Sequence, residues 1–159
     1  HVHDRLDRMR EEGREPDTLN EDYLRDRNPA FHRGLLQTTM GAPQPVYYGG
    51  LVQAQVRHFD PERERPGLPE GVSALVERVD SEGIDLTLVN AGSRERDVVT
   101  QAGAYGEHQF TAVESDTGDG PEDVDGNAVR TTLQSGTRVT LSAEMDRFAN
   151  DPSYALPWD

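Results

Sequence analysis

The 159-residue chain contains no cysteine and no lysine, and Ile84 is its only isoleucine. Without cysteine the chain can form no disulfide, thiolate nucleophile or cysteine-ligated metal centre. Its apolar runs are short, and none approaches the roughly 20 residues that a membrane-spanning helix needs. No signal-peptide pattern opens the sequence, so we expect no membrane partner. Because the first residue is His1 rather than methionine, we expect a processed product or a fragment of a longer protein.

Acidity is the strongest feature of the composition. Aspartate and glutamate total 30 against 16 basic residues, all of them arginine, for a net charge of -14. Such a charge repels itself at low ionic strength, whereas about 1 M salt shortens the Debye length to roughly 3 Å and screens the repulsion. The composition resembles that of proteins from salt-in halophiles such as haloarchaea. The alternative is an ordinary acidic protein from a high-GC genome.

The same acidity bears on partners and location. A nucleic-acid-binding protein needs a basic stripe, and the sequence shows none, so we expect no nucleic-acid partner. We expect the chain to act in the cytoplasm of a salt-in halophile. If a signal peptide has been removed, its location stays open.

Residues 1–43 have helical periodicity. Leu6 and Met9 are spaced for one face of a short charged helix, and a second helix follows with Asp17 or Thr18 as its N-cap. A third is predicted in RNPAFHRGLLQTTMG, where asparagine caps the helix, proline occupies its first position and the last glycine ends it. These helices carry few apolar residues and would be marginal alone, so we expect them to pack on something else.

From Val46 onward the hydrophobic period changes to two. Short alternating segments are separated by turn signals every 8 to 12 residues, which predicts an antiparallel β-sandwich of about seven strands over residues 44–148. One face of each sheet should be apolar and the other solvated. Residues 149–159 form an irregular tail, whose Tyr154, Leu156 and Trp158 we expect to fold back onto the sandwich.

The stretch QPVYYGGLVQAQVRHFD concentrates candidate site residues. Arg57 and His58 lie at a strand end, where functional groups often occur, but neighbouring strand residues point to opposite faces. His58 shares the apolar face, so a partly buried histidine bonded to a loop carbonyl is the main interpretation and catalysis the alternative. Tyr47 and Tyr48 either present a ring to a sugar or seal the junction between helices and sheet, where Gly-Gly allows close backbone approach.

The segment GAYGEHQF holds a second group of candidates. Gly103 and Gly106 predict a tight turn or a bulge that redirects Tyr105. Glu107 and His108 follow directly, and adjacent strand residues diverge. A general acid needs a raised pKa and a partner, and the sequence shows neither.

Metal ligands have no specific signature in this sequence. His1 and His3 could chelate Cu(II) or Ni(II) with a free amino terminus, although a tag remnant is the favoured explanation. Four aspartates in SDTGDGPEDVDGN have a spacing that Ca²⁺ could use, but the EF-hand register fails and no glutamate closes the loop. We therefore expect a solvated acidic loop and no cofactor, with weak calcium candidates at Asp116, Asp119, Asp123 and Asp125.

The segments LTLVNAGSRERDVVTQAGAYGEHQFTAVE and LQSGTRVTLSAEMDRF resemble strands of the C-terminal β-sandwich accessory domains of carbohydrate-active enzymes, namely glycoside hydrolases and polysaccharide lyases. The pattern V-N-x-x-x-x-x-R-x-V is typical of them, and the resemblance covers roughly residues 70–148. It implies a sandwich that packs on a catalytic region absent from this chain. No catalytic residue carries over.

Three hypotheses follow for the function. The chain is an accessory domain that packs on a catalytic region or partner subunit, a sugar-binding module, or a small enzyme with a pocket between helices and sheet. The weak catalytic candidates are His58, Glu107 and His108. The candidate ligand-binding residues are Tyr47, Tyr48, Arg57, Tyr105 and Trp158.

Overall fold

The computed structural model of the chain describes residues 2–27, 33–42, 53–118 and 126–159. The chain divides into two units, residues 1–34 and residues 35–159. We call them the helical unit and the sandwich unit. No helix of the described residues is long and apolar enough to cross a membrane.

The helical unit contains helix α1 (Val2–Glu12), a 3₁₀ turn (Pro16–Thr18) and helix α2 (Glu21–Arg27). The N-cap of α2 is Asn20, whose Oδ1 accepts a hydrogen bond from the Tyr23 N–H at 2.9 Å. The predicted caps Asp17 and Thr18 were wrong. They belong to the 3₁₀ turn, where Thr18 Oγ1 donates to the Glu15 carbonyl at 2.7 Å. This turn delays the start of α2 by about one helical turn.

Helix α3 (Arg33–Met40) leads into the sandwich unit. Gly41 ends it with φ of 61°, as predicted, because glycine adopts the left-handed conformation without steric cost. The Met40 carbonyl then accepts a hydrogen bond from the Gln55 N–H at 2.8 Å, which joins the end of α3 to the start of the sheet. The predicted cap Asn28 and the following Pro29 lie outside the described residues.

The sandwich unit consists of two four-stranded antiparallel sheets that do not close into a barrel. The first sheet has the order β2-β1-β5-β7 and the second β3-β4-β8-β6. The predicted antiparallel β-sandwich preceded by a short helical segment is therefore confirmed. The strands are β1 (Val56–Asp60), β2 (Arg65–Pro66), β3 (Val72–Val79), β4 (Gly83–Asn90), β5 (Arg96–Ala102), β6 (Gln109–Ser115), β7 (Ala128–Leu133) and β8 (Arg138–Asp146).

The core lies between the two sheets, where strand alternation directs every second side chain inward. Strand β8 shows this pattern throughout, since buried and exposed residues alternate along it. Its Leu141 pairs with Leu86 at the centre of the second sheet. The largest fully buried side chains of this core are Phe110, Ile84, Leu86, Leu88, Leu133, Val56 and Val98.

Two features of the sheets differ from the sequence prediction. The short strand β2 lies in the stretch PERERPGLPEG, whose prolines and glycines indicate a loop rather than a strand. Strands β1 and β5 are buried on both faces rather than one, so the predicted solvated face is covered at these two strands, whereas Arg130 and Thr132 of β7 stay exposed. The loop after β5 and the C-terminal segment supply the extra cover.

Candidate functional site

His58 lies inside the sandwich and is only 4% exposed. Its Nε2 is 2.6 Å from the Thr39 carbonyl of α3, and its Nδ1 is 3.2 Å from Thr100 Oγ1 on the neighbouring strand. Because a carbonyl only accepts, Nε2 carries the proton and Nδ1 accepts from the threonine hydroxyl. Burial lowers the pKa of His58 to about 4, so the ring is neutral near pH 7. These contacts attach α3 to the first sheet.

Arg57 points to the opposite face of β1, as strand alternation requires. Its NH1 donates to the Ala104 carbonyl at 3.3 Å, and its guanidinium carbon lies 5.0 Å from the centre of the Phe59 ring. Phe59 is also met edge-on by Trp158, with ring centres 5.8 Å apart. The two predicted ligand-binding residues Arg57 and Trp158 thus hold a loop and the chain end against the first sheet.

The loop of residues 103–108 is organised around Glu107. The Glu107 carboxylate accepts hydrogen bonds from the backbone N–H groups of Ala104 at 3.2 Å and of Tyr105 at 2.7 Å. A Cβ added at Gly103 would collide with that carboxylate, and the residue also has φ of 83°. The predicted tight turn is therefore confirmed, and the carboxylate serves as the acceptor that closes it.

His108 is buried at the end of this loop. Its Nδ1 accepts a hydrogen bond from the Phe148 N–H at 3.0 Å, and the Phe148 ring meets it edge-on at 4.9 Å. Burial lowers the pKa of His108, the Arg147 charge lowers it further, and the Glu107 carboxylate partly opposes both. In the part of the chain that the structure describes, no hydrogen bond joins His58 to Glu107 or His108. Each of the three catalytic candidates instead has a backbone partner of its own.

The remaining predicted site residues divide into two groups. Asp116 is described, and its Oδ1 accepts a hydrogen bond from the Thr140 N–H at 2.8 Å. Within the described ranges no three histidine, aspartate or glutamate side chains gather for a metal ion. The other candidates, Tyr47, Tyr48, Asp119, Asp123 and Asp125, lie outside the described residues.

Residues 147–159, which we call the tail, return along the 103–108 loop after β8 ends. The Asn150 N–H donates to the Glu107 carbonyl at 3.2 Å, and the Ser153 N–H donates to the Tyr105 carbonyl at 2.8 Å. The Asn150 side-chain amide also donates to the carbonyls of Gly106 and His108, at 3.2 and 3.1 Å. Sequence analysis did not single out Asn150, because the pairing depends on two segments about 40 residues apart.

Two aromatic rings of the tail face solvent. Phe148 is 76% exposed and Tyr154 is 81% exposed. Each is steadied by an edge contact with the loop, Phe148 by His108 and Tyr154 by Tyr105, whose ring centre is 5.4 Å away. The predicted return of the chain end to the sandwich is confirmed for Trp158, whose ring contacts Phe59, and for Tyr154, whose ring contacts Tyr105. Tyr154 could be singled out from the sequence as an aromatic residue in a polar segment. Nothing in the sequence indicated that Phe148 would be exposed.

Two surface depressions lie on the described part of the sandwich unit. The larger, of about 340 Å³, lies between the end of α3 and β3 and is lined by Gln37, Gly41, Ala42, Gln55 and residues 76–79. The smaller, of about 200 Å³, lies along β6 and β7. Neither contains His58, Glu107 or His108, so the catalytic candidates do not border these depressions.

No family model, curated protein or solved structure matches the chain. Its function must therefore be argued from the fold and from the contacts of the described residues.

Proposed function

We propose that this chain is a non-catalytic β-sandwich component of a larger carbohydrate-active enzyme, and that it packs on the catalytic region or a partner subunit through its helical unit. One observation carries the proposal. The described residues of the helical unit include no buried side chain, whereas the sandwich unit has a full apolar core.

The described residues of the helical unit include apolar side chains, none of which is fully buried. Leu6, Met9, Leu19 and Tyr23 are all half-buried. Helices of 11 and 7 residues, the lengths of α1 and α2, are marginal in water unless an apolar face packs against another surface. A partner that covers these side chains would supply the missing burial.

Polar contacts hold the two helices together without replacing a core. Arg27 bonds Glu12 at 3.0 Å, which lowers the pKa of that carboxyl group. The guanidinium carbons of Arg14 and Arg27 lie 4.8 and 6.0 Å from the centre of the Tyr23 ring. Contacts of this exposed kind contribute little stability. They orient the two helices, which favours a preformed surface for a partner.

The contacts of the catalytic candidates support a non-catalytic role. His58 attaches α3, Glu107 closes a loop, and the Nδ1 of His108 holds the tail. A catalytic group must be able to reach a substrate atom, and these side chains are buried and occupied by backbone partners. The carbohydrate class of the enzyme rests on the resemblance of the sandwich strands, since a β-sandwich alone serves many functions.

The proposal is tested by disrupting the apolar face of α1. The double variant Leu6→Glu/Met9→Glu and the matched polar-face variant Arg8→Gln/Glu11→Gln are each expressed in the native source and purified by affinity. We expect polysaccharide-cleaving activity to accompany the wild-type and control proteins and to be lost from the double variant. Equal activity with all three, or turnover by the isolated chain alone, would overturn the proposal.

The intact mass and N-terminal sequence of the native protein complete this test. A native polypeptide that continues into a catalytic region would place the partner in the same chain. A native polypeptide limited to these residues would require the partner to be a separate subunit. In that case we expect Leu6→Glu/Met9→Glu to abolish co-elution of the two on gel filtration, and retained co-elution would contradict the proposal.

A second candidate function is direct sugar binding, which the exposed rings of Phe148 and Tyr154 favour. Flat aromatic faces held by edge contacts lose little conformational entropy when a ligand covers them. Isothermal titration with oligosaccharides would detect such binding. Tyr154→Ala and Phe148→Ala should weaken it at least tenfold, whereas Leu75→Ala, which removes an exposed side chain from β3, should not. Equal affinity in all three variants would eliminate this function.

A further inference from the structure

Five of the described hydrogen bonds attach the tail to the 103–108 loop, and their acceptors are of two kinds. Four of its attachments join tail N–H groups or the Asn150 amide to backbone carbonyls, which accept hydrogen bonds at any pH. The fifth joins the Phe148 N–H to Nδ1 of His108. It is the one described attachment between tail and loop whose acceptor can itself take up a proton.

This fifth bond exists only while His108 is neutral. An imidazole nitrogen accepts a hydrogen bond when its lone pair is free, so the neutral ring must carry its proton on Nε2. A second proton would bind at Nδ1, the only remaining site. Two N–H groups, those of Nδ1 and Phe148, would then face each other across 3.0 Å, and the bond would become a repulsion.

Phe148 occupies the point where the tail leaves β8. Its φ is 56°, a left-handed conformation that bulky residues rarely adopt. The hydrogen bond to His108 and the edge contact with its ring are what hold Phe148 there. Once the bond to Nδ1 is lost, Phe148 can rotate to a negative φ. This rotation would relieve the backbone strain at Phe148 and change the direction of residues 149–159.

The charged groups acting on His108 come from both segments packed against it. Glu107, from the loop, favours the protonated ring, whereas Arg147, from the tail, opposes it. The Arg147 guanidinium donates to the Asp80 carbonyl at 2.6 Å and to Gln55 Oε1, so it stays in place when residues 148–159 move. Burial and Arg147 outweigh Glu107, which lowers the pKa of His108 and keeps the ring neutral at neutral pH.

From this geometry we infer that the tail is an acid-released latch: protonation of His108 breaks the bond to Phe148, and the change of chain direction at Phe148 then strains the four carbonyl bonds until residues 148–159 leave the first sheet. Release withdraws Trp158 from Phe59, a fully buried residue, and exposes the outer face of β1. It also moves Tyr154 away from Tyr105. The inference is independent of the function proposed above.

The sole tryptophan of the protein reports directly on the latch. On acidification of the full chain in molar KCl, we expect the emission of Trp158 to shift to the red while far-UV circular dichroism stays unchanged. The variant His108→Asn should abolish this separate shift, because an asparagine oxygen can replace Nδ1 as the acceptor but does not titrate. His3→Asn, which removes an exposed histidine of α1, should leave the shift intact.

Two outcomes would overturn the latch. One is a Trp158 shift that occurs only together with the loss of circular dichroism, since this would be global unfolding. The other is a separate shift at the same pH in His108→Asn as in the wild type, since His108 would then not be the group that titrates.

If His108→Asn fails to fold, the wild-type protein still decides the question. Nitrogen-15 spectra of the imidazole should show the Nε2–H tautomer of His108 at neutral pH. The His108 nitrogens and the Trp158 indole N–H should then titrate with one midpoint. An Nδ1–H tautomer, or two distinct midpoints, would contradict the inference.

Discussion

At the scale of single residues, His58 couples the stability of the sandwich unit to pH. The folded protein holds this histidine in its neutral form, with a pKa of about 4 against an ordinary value of 6.5. As the pH falls below 6.5, His58 binds a proton in the unfolded chain but not in the folded chain. The stabilisation from His58 is therefore complete above pH 6.5 and is lost as the pH falls towards 4.

We predict that titration of His58 lowers the free energy of unfolding by about 3 kcal/mol between pH 6.5 and pH 4. Urea unfolding at several pH values, at constant molar KCl, measures the loss. In His58→Asn the slope of stability against pH should be shallower over this range, although the variant is less stable overall because Thr39 and Thr100 lose partners. His3→Asn is the control and should keep the wild-type slope. Identical slopes in His58→Asn and the wild type would refute the prediction.

At the scale of elements, the packing of β4 against β8 leaves no room for a side chain at Gly83. A Cβ added there would overlap the Ala143 carbonyl of β8, which belongs to the backbone and cannot turn aside. Gly83→Ala must therefore push the two central strands of the second sheet apart. We predict a loss of about 3 kcal/mol of stability, in the range typical of overpacked core positions.

Gly126→Ala provides the matched control for this prediction, because a Cβ at Gly126 meets no atom of the described residues within 4 Å. Thermal and urea unfolding of the two variants should differ clearly, with Gly126→Ala close to the wild type. A Gly83→Ala protein as stable as the control would mean that β4 and β8 approach less closely than the structure indicates.

At the scale of the whole molecule, net charge governs the response to salt. With a formal charge of -14, self-repulsion disfavours the compact state at low ionic strength. Raising KCl from about 10 mM to 1 M shortens the Debye length from roughly 30 Å to roughly 3 Å and removes most of that repulsion. The described ion pairs are mostly exposed and contribute little, so their screening does not reverse the effect.

We predict that the melting temperature rises through this KCl series. Replacing the exposed acids Glu114 and Glu144 by glutamine should reduce the rise, whereas Ser73→Ala/Ser142→Ala, which changes no charge, should preserve it. Calorimetry at constant pH measures the melting temperature of the wild type and of the two double variants at each KCl concentration. A flat or falling curve for the wild type would dismiss the halophile interpretation of the composition.

Local pattern was sufficient for most strands of the sandwich. Alternating apolar residues mark β3 and β8 in the sequence, because half-buried strands must place every second side chain inside. The turns at Gly41 and Gly103 were predictable for a similar reason, since only glycine tolerates their backbone angles without cost. Strand β2 was missed because its two residues form a bridge within a Pro-Gly-rich stretch and have no period of their own.

Contacts between distant segments were not predictable in the same way. The sequence shows that Glu107 and His108 are adjacent, but not that one closes a loop and the other accepts a bond from Phe148. Likewise, strand alternation predicted that Arg57 and His58 diverge, whereas their partners Ala104 and Thr39 are defined only by the packed structure. The alternation along a strand shows which side chains share a face, but not which distant segments pack against that face.

The amino-acid sequence by itself determined the fold class, the acidity and the absence of thiol chemistry, because these follow from composition and from periodicity within single strands. Only the tertiary structure decided that β1 and β5 are buried on both faces and that the candidate histidines serve as attachment points. Both depend on tail and helix residues far away in the chain, which meet the sheet because packing brings them there.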